Sequence, residues 1–159
     1  MEEIKTLQNN IKNKQPSNLE AEQALLGSIL VNNDIIDEVS NIINSNIFYD
    51  PAHIKIYEVI ESLNNKGMIA NPITLKNFFE KDNMLKEVGG TEYLVKLTRF
   101  SGSGKQAVDY AKVIHEMYLR RQLIQISDQL SADTLNANVQ EKNAENIIEL
   151  TEKSLFDLA

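Results

Sequence analysis

Gly102-Ser103-Gly104-Lys105 is the stretch of this 159-residue chain that comes nearest to a phosphate-binding loop. A Walker A loop needs G-x-x-x-x-G-K followed by Ser or Thr: glycines so that backbone N–H groups can cradle phosphates, and a hydroxyl for magnesium. Here Gln106 follows Lys105, and Arg99 stands where the first glycine belongs. No strand pattern clearly precedes it, so the stretch reads as a Gly/Ser hinge over 101–104. The histidines, His53 and His115, have no partner at metal-ligand spacing. His115-Glu116 opens an H-E-x-x-H pattern, but Leu119 occupies the place of the second histidine. Cysteine is absent, which removes thiolate metal sites and disulfides. No serine lies in a G-x-S-x-G elbow. The paired acids Glu20/Glu22 and Asp37/Glu38 read as helix-start and surface charges. These residues predict no catalytic, cofactor or metal site.

The net charge of −7 argues against a broad phosphate-gripping face, which needs a basic excess. Lys105, Lys112, Arg120 and Arg121 form a small local surplus against Asp109 and Glu116, read as a solvated face. Strong direct nucleic-acid binding is therefore not expected. A helix-turn-helix needs a basic recognition helix. The Leu75–Lys81 region sets Lys76 and Lys81 against Glu80 and Asp82, a weak case. A hydrophobic share of 42% is enough for a packed core. No apolar run is long enough to span a membrane, and the N-terminus lacks a signal-peptide layout, so the expected location is the cytoplasm.

The elements read as helices. Residues 1–16 are polar, with Ile4, Leu7 and Ile11 at helical spacing in a run too short to hold alone; they are expected as a flexible tail. Ser17 and Glu20 have the spacing of a capping box, opening a helix to about Val31 that carries Leu19, Leu26, Ile29 and Leu30. Gly27 inside it predicts a close helix crossing, because glycine costs about 1 kcal/mol there relative to alanine. Ile35, Ile36, Val39, Ile42 and Ile43 form a wide apolar stripe. Asp50-Pro51 starts a helix that Gly67 closes, Thr74 is a candidate cap for the next, and Phe78-Phe79 read as core. Gly89-Gly90 is a further break, before Tyr93, Leu94 and Leu97.

Beyond Gly104 the character changes. Leu119, Leu123, Ile126 and Leu130 repeat at spacings of four, three and four, a coiled-coil-like seam. After a polar break near Asn136–Gln140, Ala144, Ile147, Ile148, Thr151, Leu155 and Leu158 line a second helix. The expected architecture is all-α: a compact multi-helix globular head over 17–100 and a long antiparallel helical hairpin over 105–159. Such a pair buries little by itself. Its seam, Leu119, Leu123, Ile126, Leu130, Ile147, Ile148 and Leu155, is expected to hold the hairpin and contacts with a second copy.

Several blocks, in order, resemble the N-terminal domain of bacterial replicative DNA helicases of the DnaB type. They are Ala21-Glu22-Gln23-Ala24-Leu25-Leu26-Gly27-Ser28-Ile29-Leu30; Phe48-Tyr49 with His53, Ile56 and Tyr57; Ile73-Thr74-Leu75; Val88-Gly89-Gly90 with Tyr93-Leu94; and Tyr110-Ala111, Glu116 and Arg121-Gln122-Leu123-Ile124. The sequence departs from the pattern at Asn46-Ile47, where an acidic residue usually precedes Phe-Tyr, and at Pro72, where an aspartate is usual. The likeness runs over about 17–159. It implies a head-and-hairpin domain whose hairpins pair, with a trimer of such dimers forming the collar of a hexameric, ATP-dependent helicase that unwinds DNA at the replication fork. It implies DNA primase as partner, with a helicase loader as a further candidate. Met117, Arg121, Ile124 and Leu135, off the main seam, are the candidate primase-facing residues. ATP and magnesium belong, on this reading, to a motor domain expected after Ala159. The alternative readings are a stand-alone helical protein-interaction adaptor and a helix-turn-helix DNA-binding module.

Overall fold

Asn18 starts the first helix, one residue later than the expected Ser17. In the computed structural model, which describes residues 1–6, 15–80, 82–136, 138 and 140–159, its side-chain oxygen accepts from the Ala21 N–H at 2.9 Å. Helix α1 (Leu19–Val31) follows, with Glu20 exposed. An asparagine caps as well as a serine, and its place leaves the Ser17–Glu20 pairing unused. Residues 2–6 form a helical stretch with exposed side chains. Leu7 and Ile11 of the expected tail, and Lys81, lie outside the described residues.

The chain forms two compact units, Ser17–Glu116 and Met117–Ala159 together with Met1–Pro16. In the first unit α1 is central. Ala21, Glu22 and every residue from Ala24 to Leu30 are buried, although Leu19, expected inward, is 42% exposed. The wide stripe that follows divides. Helix α2 (Ile35–Val39) buries Ile35, Ile36 and Val39, and Ile43 is buried in the turn beyond it, before a 3₁₀ turn at Ser45–Ile47. Helix α3 (Pro51–Asn65) starts as expected: Asp50 accepts from the Ala52 N–H, and Pro51 takes the first position, where a missing donor costs nothing. Just past the helix end, Gly67 adopts φ 70°, a left-handed geometry that glycine tolerates best.

Helix α4 (Pro72–Phe79) is capped by Asn71, not by Thr74. The two form a capping box, in which Asn71 accepts from the Thr74 N–H and the Thr74 hydroxyl accepts from the Asn71 N–H. Of the phenylalanine pair, Phe79 is buried and Phe78 is 47% exposed, so only one of the two is core. Helices α5 (Asn83–Val88) and α6 (Gly90–Thr98) meet at Gly89, whose φ is 118°. Tyr93, Leu94 and Leu97 of α6 pack inward, against α1 among others.

Helix α7 (Gly104–Leu135) begins where the phosphate-loop-like stretch lies. Gln106, the residue that breaks the Walker pattern, completes a second capping box. Its side-chain oxygen accepts from the Ser103 N–H at 2.9 Å, while the Ser103 hydroxyl accepts from the Gln106 N–H at 3.2 Å. The Gly102 N–H donates to the Ser28 hydroxyl at 2.8 Å, and that hydroxyl donates to the Ala24 carbonyl. Ala107, Ala111 and Ile114 are buried in the first unit. The compact units therefore part between Glu116 and Met117, not at 101–104, because hydrogen bonds and three buried side chains tie the stretch after Arg99 into the first unit. Helix α8 (Ala144–Leu158), capped by Asn143, folds back beside the C-terminal half of α7 as the expected antiparallel hairpin.

Candidate functional site

The first unit holds a buried cluster of side chains of the kinds that do acid–base chemistry. Glu22 on α1 and His53 on α3 are 1% and 0% exposed, and Tyr93 on α6 is 9% exposed. The Glu22 carboxylate faces His53 Nδ1 at 2.8 Å and also accepts from the Tyr49 and Asp50 N–H groups. A carboxylate only accepts, which assigns a proton to Nδ1. In the neutral ring Nε2 then accepts from the Tyr93 hydroxyl at 2.6 Å. The Gln23 amide donates to the same hydroxyl at 3.4 Å. Burial is the main reason that the Tyr93 phenol is held above its ordinary value. Every group is turned inward and partnered, and the result is a polar brace joining three helices. Glu22, expected as a surface charge, is thus corrected to a buried acceptor. His53, which has no partner at sequence spacing, finds one across the fold.

The second unit carries the expected assembly residues. Between α7 and α8 runs an open groove of about 450 Å³. Ile126 and Leu130 line it from α7, and Leu150 and Leu158 from α8. Of the other seam residues, Ile147 is buried and Leu119 is half-buried. Leu123, Ile148 and Leu155 remain 47%, 57% and 44% exposed. The geometry of a 3.6-residue turn explains this. Ile148 and Leu155 are two turns apart, on an edge of α8 turned away from the groove, and Leu123 takes the corresponding edge of α7. The hairpin thus leaves apolar edges uncovered. Phe156, which is 81% exposed, adds to the uncovered apolar surface, and Leu150 is 47% exposed within the groove; neither was anticipated. Phe156 falls outside the apolar stripe of α8, so no periodic signal marks it.

Among the candidate primase-facing residues, Met117, Arg121 and Ile124 are half-buried and Leu135 is 84% exposed. Arg121 donates to the Pro16 carbonyl at 2.7 Å and thus has a structural contact of its own. At the far end of the hairpin, Lys142 donates to Asp133 at 3.0 Å and Gln129 donates to the same oxygen at 2.9 Å. The hydrogen bond from Lys142, then that from Gln129, holds the Asp133 carboxyl below its ordinary value of 3.8. A carboxyl depressed on folding contributes fully above its unfolded value, and the contribution is lost as pH falls through the folded one. The Asp133 carboxyl carbon, followed by NMR, should titrate below 3.8, and Lys142→Met should raise that midpoint. An unchanged midpoint would show that the ion pair is not held in solution.

Other readings gain little from the geometry. Among the described residues no three His, Cys, Asp or Glu side chains are grouped to hold a metal, and no helix is long and apolar enough to cross a membrane. On α4, the helix considered for DNA recognition, Lys76 faces Glu80 at 3.9 Å.

Comparison with known proteins gives one consistent result. The family model described as DnaB-like helicase N terminal domain matches residues 14–116. The replicative DNA helicase DnaB of Rickettsia felis is 42% identical over 144 residues, which cover 91% of this chain and 29% of that relative. The replicative DNA helicase DnaC of Bacillus subtilis is 28% identical over 144 residues, 91% of this chain and 31% of its own length. The chain thus spans about three-tenths of the length of these curated relatives. The crystal structure of the N-terminal domain of DnaB helicase from Mycobacterium tuberculosis superposes with a TM-score of 0.78 at 25% identity, covering 91% of this chain and 99% of that one. A structure of a DnaB-like replicative helicase and its interactions with primase superposes with a TM-score of 0.68 at 25% identity, covering 89% of this chain and 32% of that one. With the family model spanning most of the chain and a matching all-helical fold, this chain belongs to the DnaB-like helicase N-terminal domain family.

Proposed function

We propose that this chain works by assembly: its hairpin pairs with that of a second copy, the pairs build the collar of a hexameric replicative helicase, and the collar recruits primase. The observation that carries this reading is the set of apolar side chains left exposed along the hairpin: Leu123, Leu130, Ile148, Leu150 and Leu155. Exposed apolar edges flanking an open groove are surface that a partner helix pair can remove from water, at about 25 cal/mol per Å² of apolar area. The likeness to a DnaB-like helicase described with primase supports that partner. Nucleotide and magnesium chemistry is assigned on this reading to a motor segment outside these residues, and this segment itself is not an enzyme. The site of action is the cytoplasm, where a helicase loader is a further candidate partner.

The test uses the whole chain and exposed positions, so that the variants keep the fold. Parent protein should show a self-associated mass by light scattering. Leu123→Asp with Ile148→Asp should shift it to the monomer with helical circular dichroism unchanged. Leu135→Asp should leave the mass as it is and reduce capture by immobilised primase several-fold. A monomeric parent, or a double variant of unchanged mass, overturns the assembly reading. Unchanged capture by the Leu135 variant removes that residue from the primase surface.

A further inference from the structure

A second polar site lies in the first unit, away from the brace around His53. A cavity of about 300 Å³ opens between the α2 region and α3. Ile36, Ile43 and the ring of Tyr57 give it an apolar floor, and Asp37, Ser40, Asn44, Glu61 and the Asn64–Asn65 pair give it a polar wall. Two observations set it apart from an ordinary surface hollow. Tyr57 is only 1% exposed and packs against Phe48 with ring centroids 5.2 Å apart, yet among the described residues its hydroxyl has no hydrogen-bond partner. Among the described residues no buried side-chain polar atom lacks a partner, so this unpartnered hydroxyl is the part of Tyr57 that keeps solvent access, where a ligand or an ordered water can reach it. The wall also carries two carboxylates, those of Asp37 and Glu61, and among the described residues neither has a cationic partner.

We propose that this cavity binds a guanidinium group on a slim apolar stem, as in an arginine side chain, with Glu61 and Asp37 neutralising it and the Tyr57 hydroxyl accepting one of its N–H groups. A planar cation with five donors suits a wall of acceptors, and the apolar floor suits its methylene stem. A hydrated metal ion suits the site less well, because the floor is apolar and no cluster of three carboxylate or imidazole ligands is present among the described residues. The electrostatics agree with the geometry. Burial, and then the neighbouring Glu58, push the Glu61 carboxyl up, so the wall lacks a compensating positive charge. Burial and Glu61 push the Tyr57 hydroxyl up to about 12, which keeps it neutral and able to accept.

The experiment titrates the whole chain, labelled with nitrogen-15, with acetyl-arginine amide, and repeats the titration with acetyl-citrulline amide, its neutral isostere. Shifts confined to residues around 36–44 and 57–65 are expected with arginine and not with citrulline. Glu61→Gln should weaken binding at least tenfold, the scale of one hydrogen bond to a charged group. Tyr57→Phe, which keeps the ring against Phe48, should weaken it several-fold. Agmatine and a blocked Gly-Arg-Gly peptide separate the two sources of the group: tighter binding of agmatine assigns the cavity to a free small molecule, and tighter binding of the peptide assigns it to a partner's arginine. Equal shifts with citrulline, no weakening in Glu61→Gln, or no shifts in these segments with any probe would overturn the proposal and leave a cavity that holds only water.

Discussion

Gly27→Ala should lower the melting temperature of this chain by roughly 10 °C, although alanine is the better helix former. A Cβ built on Gly27 would lie 1.9 Å from the Leu97 carbonyl oxygen and 2.8 Å from its carbon. The obstacle is backbone, which cannot rotate away as a side chain can. To make room, the end of α6 must move off α1. Leu97 is fully buried, and its carbonyl accepts from the Phe100 N–H at 3.0 Å, so the shift would disturb both the core and the turn that leads to Gly102, whose N–H donates to Ser28. Overpacking of this kind costs about 1–3 kcal/mol, occasionally more, and a clash this close with backbone belongs above that range, at about 4 kcal/mol. Gained helix propensity returns about 1 kcal/mol, leaving a net loss on the order of 3 kcal/mol. Gly67→Ala is the control. Its φ is 70°, and nothing lies within 4 Å of its added Cβ, so only backbone strain of about 1 kcal/mol is expected. Thermal unfolding followed by circular dichroism checks both. A Gly27→Ala protein as stable as the parent would show that the two helices do not cross at this glycine.

The sequence reveals some features better than others, for physical reasons. Gly27 stands out because an interior glycine must have a cause, and a close crossing is the commonest one. The Asp50-Pro51 start and the Gly67 stop depend only on residues adjacent in the chain, so they can be read directly. Caps chosen between neighbouring candidates are harder: Asn18 displaces Ser17, and Asn71 displaces Thr74, because each pair offers chemically similar acceptors one turn or less apart. The brace is harder still. Glu22, His53 and Tyr93 are 31 and 40 residues apart along the chain, and an acid in the first turn of a helix usually faces water. Periodicity also misreads α1. A helix buried on nearly every side shows an amphipathic pattern when the polar residues it buries, Glu22 and Ser28, are satisfied by partners from elsewhere. In the hairpin the seam spacing identifies the apolar stripe, but which edge of it faces the groove depends on the rotation of the helices, which sequence spacing does not contain.

Glu22→Ala should destabilise the first unit by about 4 kcal/mol, the largest effect expected from any single side chain here. Its carboxylate accepts three N–H groups, from Tyr49, Asp50 and His53. Truncation leaves all three without an acceptor, at positions that water reaches poorly because Glu22 is 1% and His53 is 0% exposed. An unpartnered buried donor costs about 1–3 kcal/mol, and three of them, partly relieved by rearrangement, account for about 4 kcal/mol in all. Glu22→Gln separates this account from simple loss of volume. The amide oxygen can keep the bonds from Asp50 and His53, both made to Oε1, while its NH₂ group confronts the Tyr49 N–H. Its cost should be about half that of alanine. Tyr93→Phe should cost least, about 1 kcal/mol, because it removes only the bond to His53 and the long 3.4 Å bond from Gln23, and keeps the ring stacked at 6.1 Å from His53. Urea unfolding of the three variants should rank them alanine, glutamine, phenylalanine in order of loss. A glutamine variant as unstable as alanine would mean that the full negative charge, and not the count of satisfied donors, holds α1 to α3.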